Sequence, residues 1–178
     1  MANVRKKLLI VDGYNVRRSG SRYRNIKLPD FTDDYFNVAR QRLLNDVIDY
    51  SGRGSEAIIV YDAADRKGDA SKTETVGGVR VMFSAMGQTA DHLIEKLAHD
   101  ARERGVETMV VTSDAAIQDT VFGGGVDRMS AEGFCQELGS MADDSEELAR
   151  NPVSRKSTVA DRISPEVLEG LKRLRDQR

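Results

Sequence analysis

Short apolar runs recur along the chain at intervals that suit the strands of a buried sheet. The runs occupy residues 8–11, 57–61, 79–83 and 107–114, the last of them ending in polar residues, and residues 126–129 are interpreted as a further short strand. Continuous apolar runs of this length are typical of strands that are covered on both faces. The pattern therefore predicts five strands.

The segments between these runs carry apolar residues at helical spacing. Phe36, Ala39, Leu43 and Val47 mark one face of a helix that is expected to end at residues 51–54. Further helices are predicted from Thr89 to Arg104, over 115–122 and after Ser130, and a mobile loop is predicted over 63–78. Strands that alternate with helices predict an α/β fold with a mainly parallel central sheet between two helical layers.

The composition changes near residue 150. Acidic residues at 143–147 and the pair Asn151-Pro152 precede a polar stretch, and Ser164-Pro165 then has the pattern of a helix start. The sequence predicts a compact domain over 1–150, an exposed linker over 151–163 and an appended amphipathic helix over 164–178.

Length and charge limit the class of protein. A chain of 178 residues with 39% hydrophobic and 31% charged residues suits one globular domain, and its net charge of −2 argues against wholesale coating of nucleic acid. No apolar run approaches membrane-spanning length, and the first residues do not resemble a signal peptide. We therefore expect a cytoplasmic protein without a membrane partner. Cys135 has no cysteine partner and is expected to be a core residue.

Carboxylates follow the predicted strands at their carboxyl ends. Asp12, Asp62 and Asp114 each come after an apolar run, and Asp91 begins the helix that follows the third strand, with Glu95 on the same helix face. The carboxyl ends of parallel strands lie at one edge of a sheet, so these acids are expected to converge and to raise one another's pKa unless a cation is present. Mg²⁺ or Mn²⁺ is the natural occupant of such an all-oxygen site. Each acid alone could equally be a turn former, a helix cap or a solvated side chain.

A stretch without acids follows the first strand. Between Gly13 and Pro29 the chain is expected to form a basic loop with interleaved tyrosines, and the loop over 63–78 contains three more cations, two of which are candidates. The candidates for contact with RNA phosphates and bases are Arg17, Arg18, Arg22, Arg24, Lys27, Arg66 and Lys67. The alternative is an ordinary solvated loop.

Other phosphate and hydrolase chemistries lack their motifs. The sequence contains neither the G-x-x-x-x-G-K-[ST] phosphate loop nor the G-x-G-x-x-G dinucleotide motif. An aspartyl phosphatase needs a second Asp two residues after the first, but position 14 is Tyr14, and no G-x-S-x-G elbow is present. His92 and His99 lie on one helix without a nucleophile and are expected to be surface or satisfied histidines.

Four short motifs occur in a recognisable order: Asp12-Gly13-Tyr14-Asn15, Tyr61-Asp62-Ala63, Thr89-Ala90-Asp91 with Glu95, and Thr112-Ser113-Asp114. In order and spacing they resemble the NYN-domain branch of the PIN-like ribonucleases. Within that branch they are similar to the YacP-like subgroup, which includes a ribosome-associated mRNA endonuclease. The similarity extends over nearly the whole chain.

This resemblance implies a PIN-like α/β fold and metal-dependent endonucleolytic cleavage of single-stranded RNA, with mRNA and the ribosome as partners. It implies that Asp12, Asp91 and Asp114 bind the metal, while Asp62 and Glu95 complete the catalytic set. Asn15 would bind a phosphate or a water, or else be a left-handed turn residue. Thr112 or Ser113 would orient Asp114. The alternative is a non-catalytic RNA-binding or ribosome-binding module. The sequence leaves the oligomeric state open.

Overall fold

The structure is a computed structural model, and it describes residues 7–24, 26, 35–52, 55–63, 73–117 and 124–150. The strands are β1 (Lys7–Asp12), β2 (Ser55–Tyr61), β3 (Glu74–Val76), β4 (Val79–Phe83), β5 (Thr108–Val111) and β6 (Val126–Met129). The helices are α1 (Gly13–Ser19), α2 (Ser21–Arg24), α3 (Tyr35–Ser51), α4 (Ala90–Glu103) and α5 (Ala131–Arg150).

The six described strands form one sheet in the order β3-β4-β2-β1-β5-β6. All neighbouring pairs are parallel except β3 and β4, which are antiparallel. β1 lies in the middle, and Asp12 is in register with Val60 of β2. The prediction of an α/β fold with a mainly parallel central sheet is confirmed.

Alternate residues of the central strands face two separate cores. Leu9 and Val11 of β1 pack with α3 and with the first turns of α5, while Leu8 and Ile10 pack with Ile94 and its neighbours on α4. Because both faces of β1 are covered, the strand reads as a continuous apolar run.

Two predictions about loops are wrong. The chain after Asp12 forms α1 and α2, because the Asp12 side chain caps α1 by accepting a hydrogen bond from the backbone N–H of Asn15. Residues 74–76 of the predicted loop over 63–78 form β3, which pairs with β4 across a tight turn at Gly77 and Gly78, both with positive φ.

The chain divides into two compact units, residues 1–140 and 141–178. The sheet and all the site residues described below belong to the first. In the second, the described residues, Met141–Arg150, are the last part of α5. The predicted linker over 151–163 and the predicted helix over 164–178 lie outside the described residues, so the domain boundary at 150 stays a prediction. In the part of the chain that is described, no helix is long and apolar enough to cross a membrane.

Candidate functional site

The candidate site lies at the edge of the sheet where β1, β2 and β5 end. Asp12 is the last residue of β1, Asp62 follows β2, and Asp114 follows β5 by three residues. The fourth acid, Asp91, lies in the first turn of α4, and Glu95 lies one turn further on. The electrostatic interactions that link these carboxyl groups, described below, place them in one cluster, which we call the acidic edge.

Asp12 is the most buried member of the acidic edge, with 4% of its surface exposed. Its Oδ1 accepts the backbone N–H of Asn15 at 3.0 Å, and its Oδ2 accepts the Thr112 hydroxyl at 3.1 Å. The pKa of Asp12 is raised to about 6: burial is the largest cause, the two hydrogen bonds oppose it, and repulsion from Asp91 and Asp62 adds to it. Asp12 is therefore a rigidly held carboxylate that is costly to ionise without a cation nearby.

Asp62 and Asp91 lie on either side of the start of α4. Asp62 Oδ1 accepts the backbone N–H of Ala90 at 2.7 Å, which ties the end of β2 to the helix. Asp91 is half-buried, and burial raises its pKa, followed by repulsion from Asp114, Asp62 and Glu95. Three other carboxylates of the acidic edge therefore contribute to the raised pKa of Asp91.

Thr112 joins the two strand ends of the acidic edge. Its hydroxyl donates to Asp12 and accepts the backbone N–H of Asp114 at 3.1 Å, and the Thr112 side chain is fully buried. Asp114 in turn accepts the backbone N–H of Ala116 at 2.8 Å, so it starts the short helical segment that follows. A single hydroxyl therefore sets the position of one carboxylate and of the backbone that carries another.

Asn15 and Ser113 fasten the loop after β5. The side-chain oxygen of Asn15 accepts the backbone N–H of Ser113 at 2.8 Å, and the Ser113 hydroxyl accepts the backbone N–H of Ala131 at 2.9 Å. Asn15 lies in α1, and within the described ranges no residue other than glycine has positive φ, so the left-handed alternative for Asn15 is wrong. The hydroxyl next to Asp114 is therefore that of Thr112, while Ser113 holds the start of α5.

The sequence did not single out Ser84, although this residue supports the same edge. Ser84 is buried, its hydroxyl accepts the backbone N–H of Ala63 at 3.0 Å, and its own N–H donates to the Tyr61 carbonyl at 2.9 Å. These bonds fix the backbone on both sides of Asp62. The signal was available, because Ser84 directly follows β4 as Thr112 directly follows β5.

The predicted RNA-contacting arginines have different environments. Arg22 forms a bidentate ion pair with Asp46 at 2.8 and 2.9 Å, and it is half-buried. Arg17 is 5% exposed, and its guanidinium lies over the rings of Phe36 (4.5 Å) and Tyr14 (5.6 Å). Arg18 and Arg24 are exposed. Lys27, Arg66 and Lys67 lie outside the described residues. Of the arginines, Arg18 and Arg24 are therefore the ones open to a phosphate as the side chains stand.

The donor chemistry of the acidic edge fits a hard divalent cation, since every side chain there offers carboxylate oxygen. The spacing is open, however. Among the described residues, no three His, Cys, Asp or Glu side chains are placed so that they could hold one metal ion together. This geometry suits Mg²⁺, which is commonly held by one or two carboxylates, with waters and substrate phosphates completing its shell.

Replacing Asp12 by Asn is expected to make stability less dependent on pH. The pKa of Asp12 rises from 3.8 to about 6 on folding, so the folded state binds the extra proton and loses stability as pH rises from about 4 through 6. The Asp12→Asn substitution removes this loss of folding stability. For a pKa shift from 3.8 to about 6, the loss reaches about 3 kcal/mol above pH 6. Urea unfolding in EDTA at pH 5 and pH 7.5 measures it: the variant should gain stability relative to wild type at the higher pH. A constant difference between the two would contradict the assignment of this pKa.

The combination of a central parallel sheet, helices on both faces and carboxylates at the carboxyl edge defines a PIN-like α/β protein. The family model for the YacP-like NYN domain matches residues 9–176. The chain therefore belongs to the family of YacP-like NYN domains, a membership consistent with a nuclease or RNA-related role.

Known proteins with similar sequences and structures match almost the whole length of this chain. A Bacillus subtilis protein, uncharacterized protein YacP, is 32% identical over 169 residues, which cover 94% of this chain and 96% of that protein. Two crystal structures of Rae1 (YacP) from Bacillus subtilis are also similar. One covers 95% of this chain and 94% of that chain at 32% identity with a TM-score of 0.64. The other, of a mutant, covers 87% and 89% at 29% identity with a TM-score of 0.67.

Proposed function

We propose that this protein is an Mg²⁺-dependent or Mn²⁺-dependent endoribonuclease that hydrolyses phosphodiester bonds of single-stranded RNA. The observation that carries the proposal is the acidic edge, where Asp12 and Asp91 have pKa values raised by burial and by the other carboxylates that lie close by. Clustered acids that repel one another are a common feature of sites built to receive a cation. Family membership supports RNA as the substrate class.

The proposed roles follow from the hydrogen bonds. Each oxygen of Asp12 accepts one hydrogen bond, which leaves lone pairs for a cation while the carboxylate stays fixed. Asp91 and Asp114 are the other proposed ligands. Because no three described side chains are placed to hold one ion together, each ion would take one or two of these carboxylates, with water and substrate phosphate completing its shell. Asp62 and Glu95 add negative charge beside them. A bound divalent cation would polarise the phosphodiester and make water a better nucleophile. Arg18 and Arg24 would neutralise flanking phosphates. That the RNA is mRNA and that the protein enters the ribosome are parts of this proposal that rest on family resemblance, and a cytoplasmic location is the part that comes from the sequence pattern.

Cleavage of a 5′-labelled single-stranded RNA by the full-length protein tests the proposal. Cutting at internal positions is expected with Mg²⁺ or Mn²⁺ and should stop when EDTA is added. Cleavage that continues unchanged in EDTA would contradict the metal requirement. The same reaction with mRNA on ribosomes and with the free mRNA would show whether ribosomes are needed.

The open spacing of the acidic edge also supports a second candidate function, a non-catalytic RNA-binding or ribosome-binding module. Such a module would bind RNA equally well after Asp12 and Asp91 are both replaced by Asn, and it would cut RNA with neither metal. Filter binding and the cleavage reaction on the same double variant distinguish the two functions.

Replacing Thr112 by Val is expected to lower cleavage about 10-fold, because hydrogen-bond partners of ligating carboxylates commonly contribute about 10- to 100-fold. The Thr112 hydroxyl lowers the pKa of Asp12, so its loss raises that pKa and moves the acidic limb of the pH–rate profile to higher pH. Thr112→Ser keeps the hydroxyl and should restore the wild-type profile. A Val variant with an unshifted profile would contradict the role given to this hydroxyl.

A further inference from the structure

A half-open groove lies beside α3 on the face of the sheet that α3 covers. Its volume is about 340 Å³, near the lower limit of ligand-binding clefts. Leu44 of α3 and Val76 of β3 contribute apolar surface, with the buried side chains of Ile59, Tyr61 and Val81 beneath, while Asn37, Arg40, Gln41 and Glu74 contribute polar groups from α3 and β3. We call it the α3 groove. It combines an apolar wall with a polar rim, as ligand-binding clefts commonly do.

Arg40 is the only cationic residue among those that line the α3 groove in the described chain. Its guanidinium carbon lies 4.8 Å from the centre of the Tyr61 ring and 5.3 Å from that of Phe83. It is half-buried, and it forms no ion pair with the described residues. Stacking on two aromatic rings therefore orients the guanidinium plane while no described carboxylate uses its N–H donors.

The α3 groove adjoins the acidic edge through one aromatic ring. Tyr61 immediately precedes Asp62, and its ring packs so closely under Gly13, the residue after Asp12, that a Cβ on Gly13 would come within 2.3 Å of it. The guanidinium of Arg40 lies over the same ring. A ligand in the α3 groove would thus lie next to the proposed cutting site on the side of α3.

We propose that the α3 groove binds one nucleobase of the RNA strand, with the base stacked against Arg40. This inference rests on the proposed function for its choice of RNA as the ligand. Unpaired bases commonly stack on aromatic rings or on arginine planes while polar side chains bind their edges. Asn37 and Gln41 offer both donors and acceptors, and Glu74 offers acceptors. The carboxylate of Glu74 repels phosphate, so the groove suits a base better than the RNA backbone.

Paired variants of two arginines on α3 test this inference. Arg40→Met removes the guanidinium and keeps an unbranched side chain, and Arg42→Met makes the same charge change two residues away, at an exposed position on another face of the helix. Binding of a fluorescent single-stranded RNA in EDTA, measured by anisotropy, should weaken about 10-fold for Arg40→Met, because the base loses the side chain on which it stacks. Arg42→Met should change binding less than about 2-fold.

A second ligand separates base binding from charge. An abasic ribose-phosphate strand of the same length should bind wild type and Arg40→Met equally. Equal weakening by Arg40→Met and Arg42→Met, or equal loss of binding to both strands, would overturn the base-binding role and leave only general electrostatic attraction. Thermal unfolding of both variants shows that the fold is retained.

Asn37→Ala is a second test of the α3 groove that does not replace Arg40 or the Tyr61 and Phe83 rings on which Arg40 stacks. Asn37 is exposed on α3, and its replacement should change the preference among oligo-A, oligo-C and oligo-U by at least about 3-fold, whereas unchanged preference would count against the groove. Arg40-dependent binding without cleavage would support the groove and contradict the proposed nuclease. Cleavage with equal effects of both arginine variants would support the nuclease and contradict the groove.

Discussion

Replacing Asp91 by Asn should lower RNA cleavage at least about 100-fold while the protein stays folded. Asp91 is half-buried among Asp114, Asp62 and Glu95, whose repulsion adds to burial in raising its pKa. The loss of one proposed cation ligand removes a few kcal/mol of transition-state stabilisation, and each ~1.36 kcal/mol is tenfold in rate. The measurement is the single-turnover rate of cutting of a 5′-labelled RNA at saturating protein.

Asp100→Asn is the matched control for this variant. Asp100 lies on the same helix, α4, but is exposed and lies next to His99 rather than in the acidic edge. Its replacement should leave the rate within about 2-fold of wild type. If both variants lost activity to the same extent, the effect would reflect α4 or its net charge, and the assignment of Asp91 as a ligand would be wrong.

Replacing Gly13 by Ala is expected to destabilise the protein by about 3 kcal/mol. The new Cβ would lie 2.3, 2.6 and 2.7 Å from three atoms of the Tyr61 ring, which is 1% exposed and packs against Arg40 and Phe83. Inserting a methyl group into a packed core typically costs about 1–3 kcal/mol, and this contact is at the severe end. Urea unfolding at pH 7.5 measures the loss.

Gly139→Ala makes the same chemical change where there is space. A Cβ at Gly139 has no neighbour within 4 Å, and the residue lies within α5, where Ala is favoured over Gly by about 1 kcal/mol. This variant should be as stable as wild type or more stable. Wild-type stability of Gly13→Ala would show that the close approach of α1 to Tyr61 is not a constraint on the fold.

Except for β3, the described strands and the larger helices could be predicted because their patterns reflect burial directly. β1 is apolar throughout since both of its faces pack against helices, and α4 shows its apolar stripe because one face covers the sheet. The positions of Asp12, Asp62, Asp91 and Asp114 followed from topology. Parallel strands leave their carboxyl ends at one edge, whatever the side chains do next.

The segment after Asp12 could not be predicted correctly from local pattern. Its glycine and many arginines suggested a loop, yet α1 forms with Asp12 as its cap, and α2 is held by long-range contacts. The hydroxyl and the backbone N–H of Ser21 donate to Glu132, at 2.8 and 3.0 Å, and Arg22 and Tyr23 bind Asp46. Partners that lie 111 and 24 residues away leave no local signal. The same holds for Arg40, whose position over Tyr61 depends on how α3 crosses the sheet.

The most direct test of the acidic edge as an RNA-cutting centre is cleavage-site mapping with wild type and Asp12→Asn side by side. A 5′-labelled single-stranded RNA is incubated with Mg²⁺ and the full-length protein, and the products are resolved at single-nucleotide resolution. Asp127→Asn, which changes an exposed acid on β6, serves as the control. We expect internal cuts with wild type and with Asp127→Asn, and none with Asp12→Asn. Equal cutting by wild type and Asp12→Asn would contradict the assignment of the acidic edge as the RNA-cutting centre.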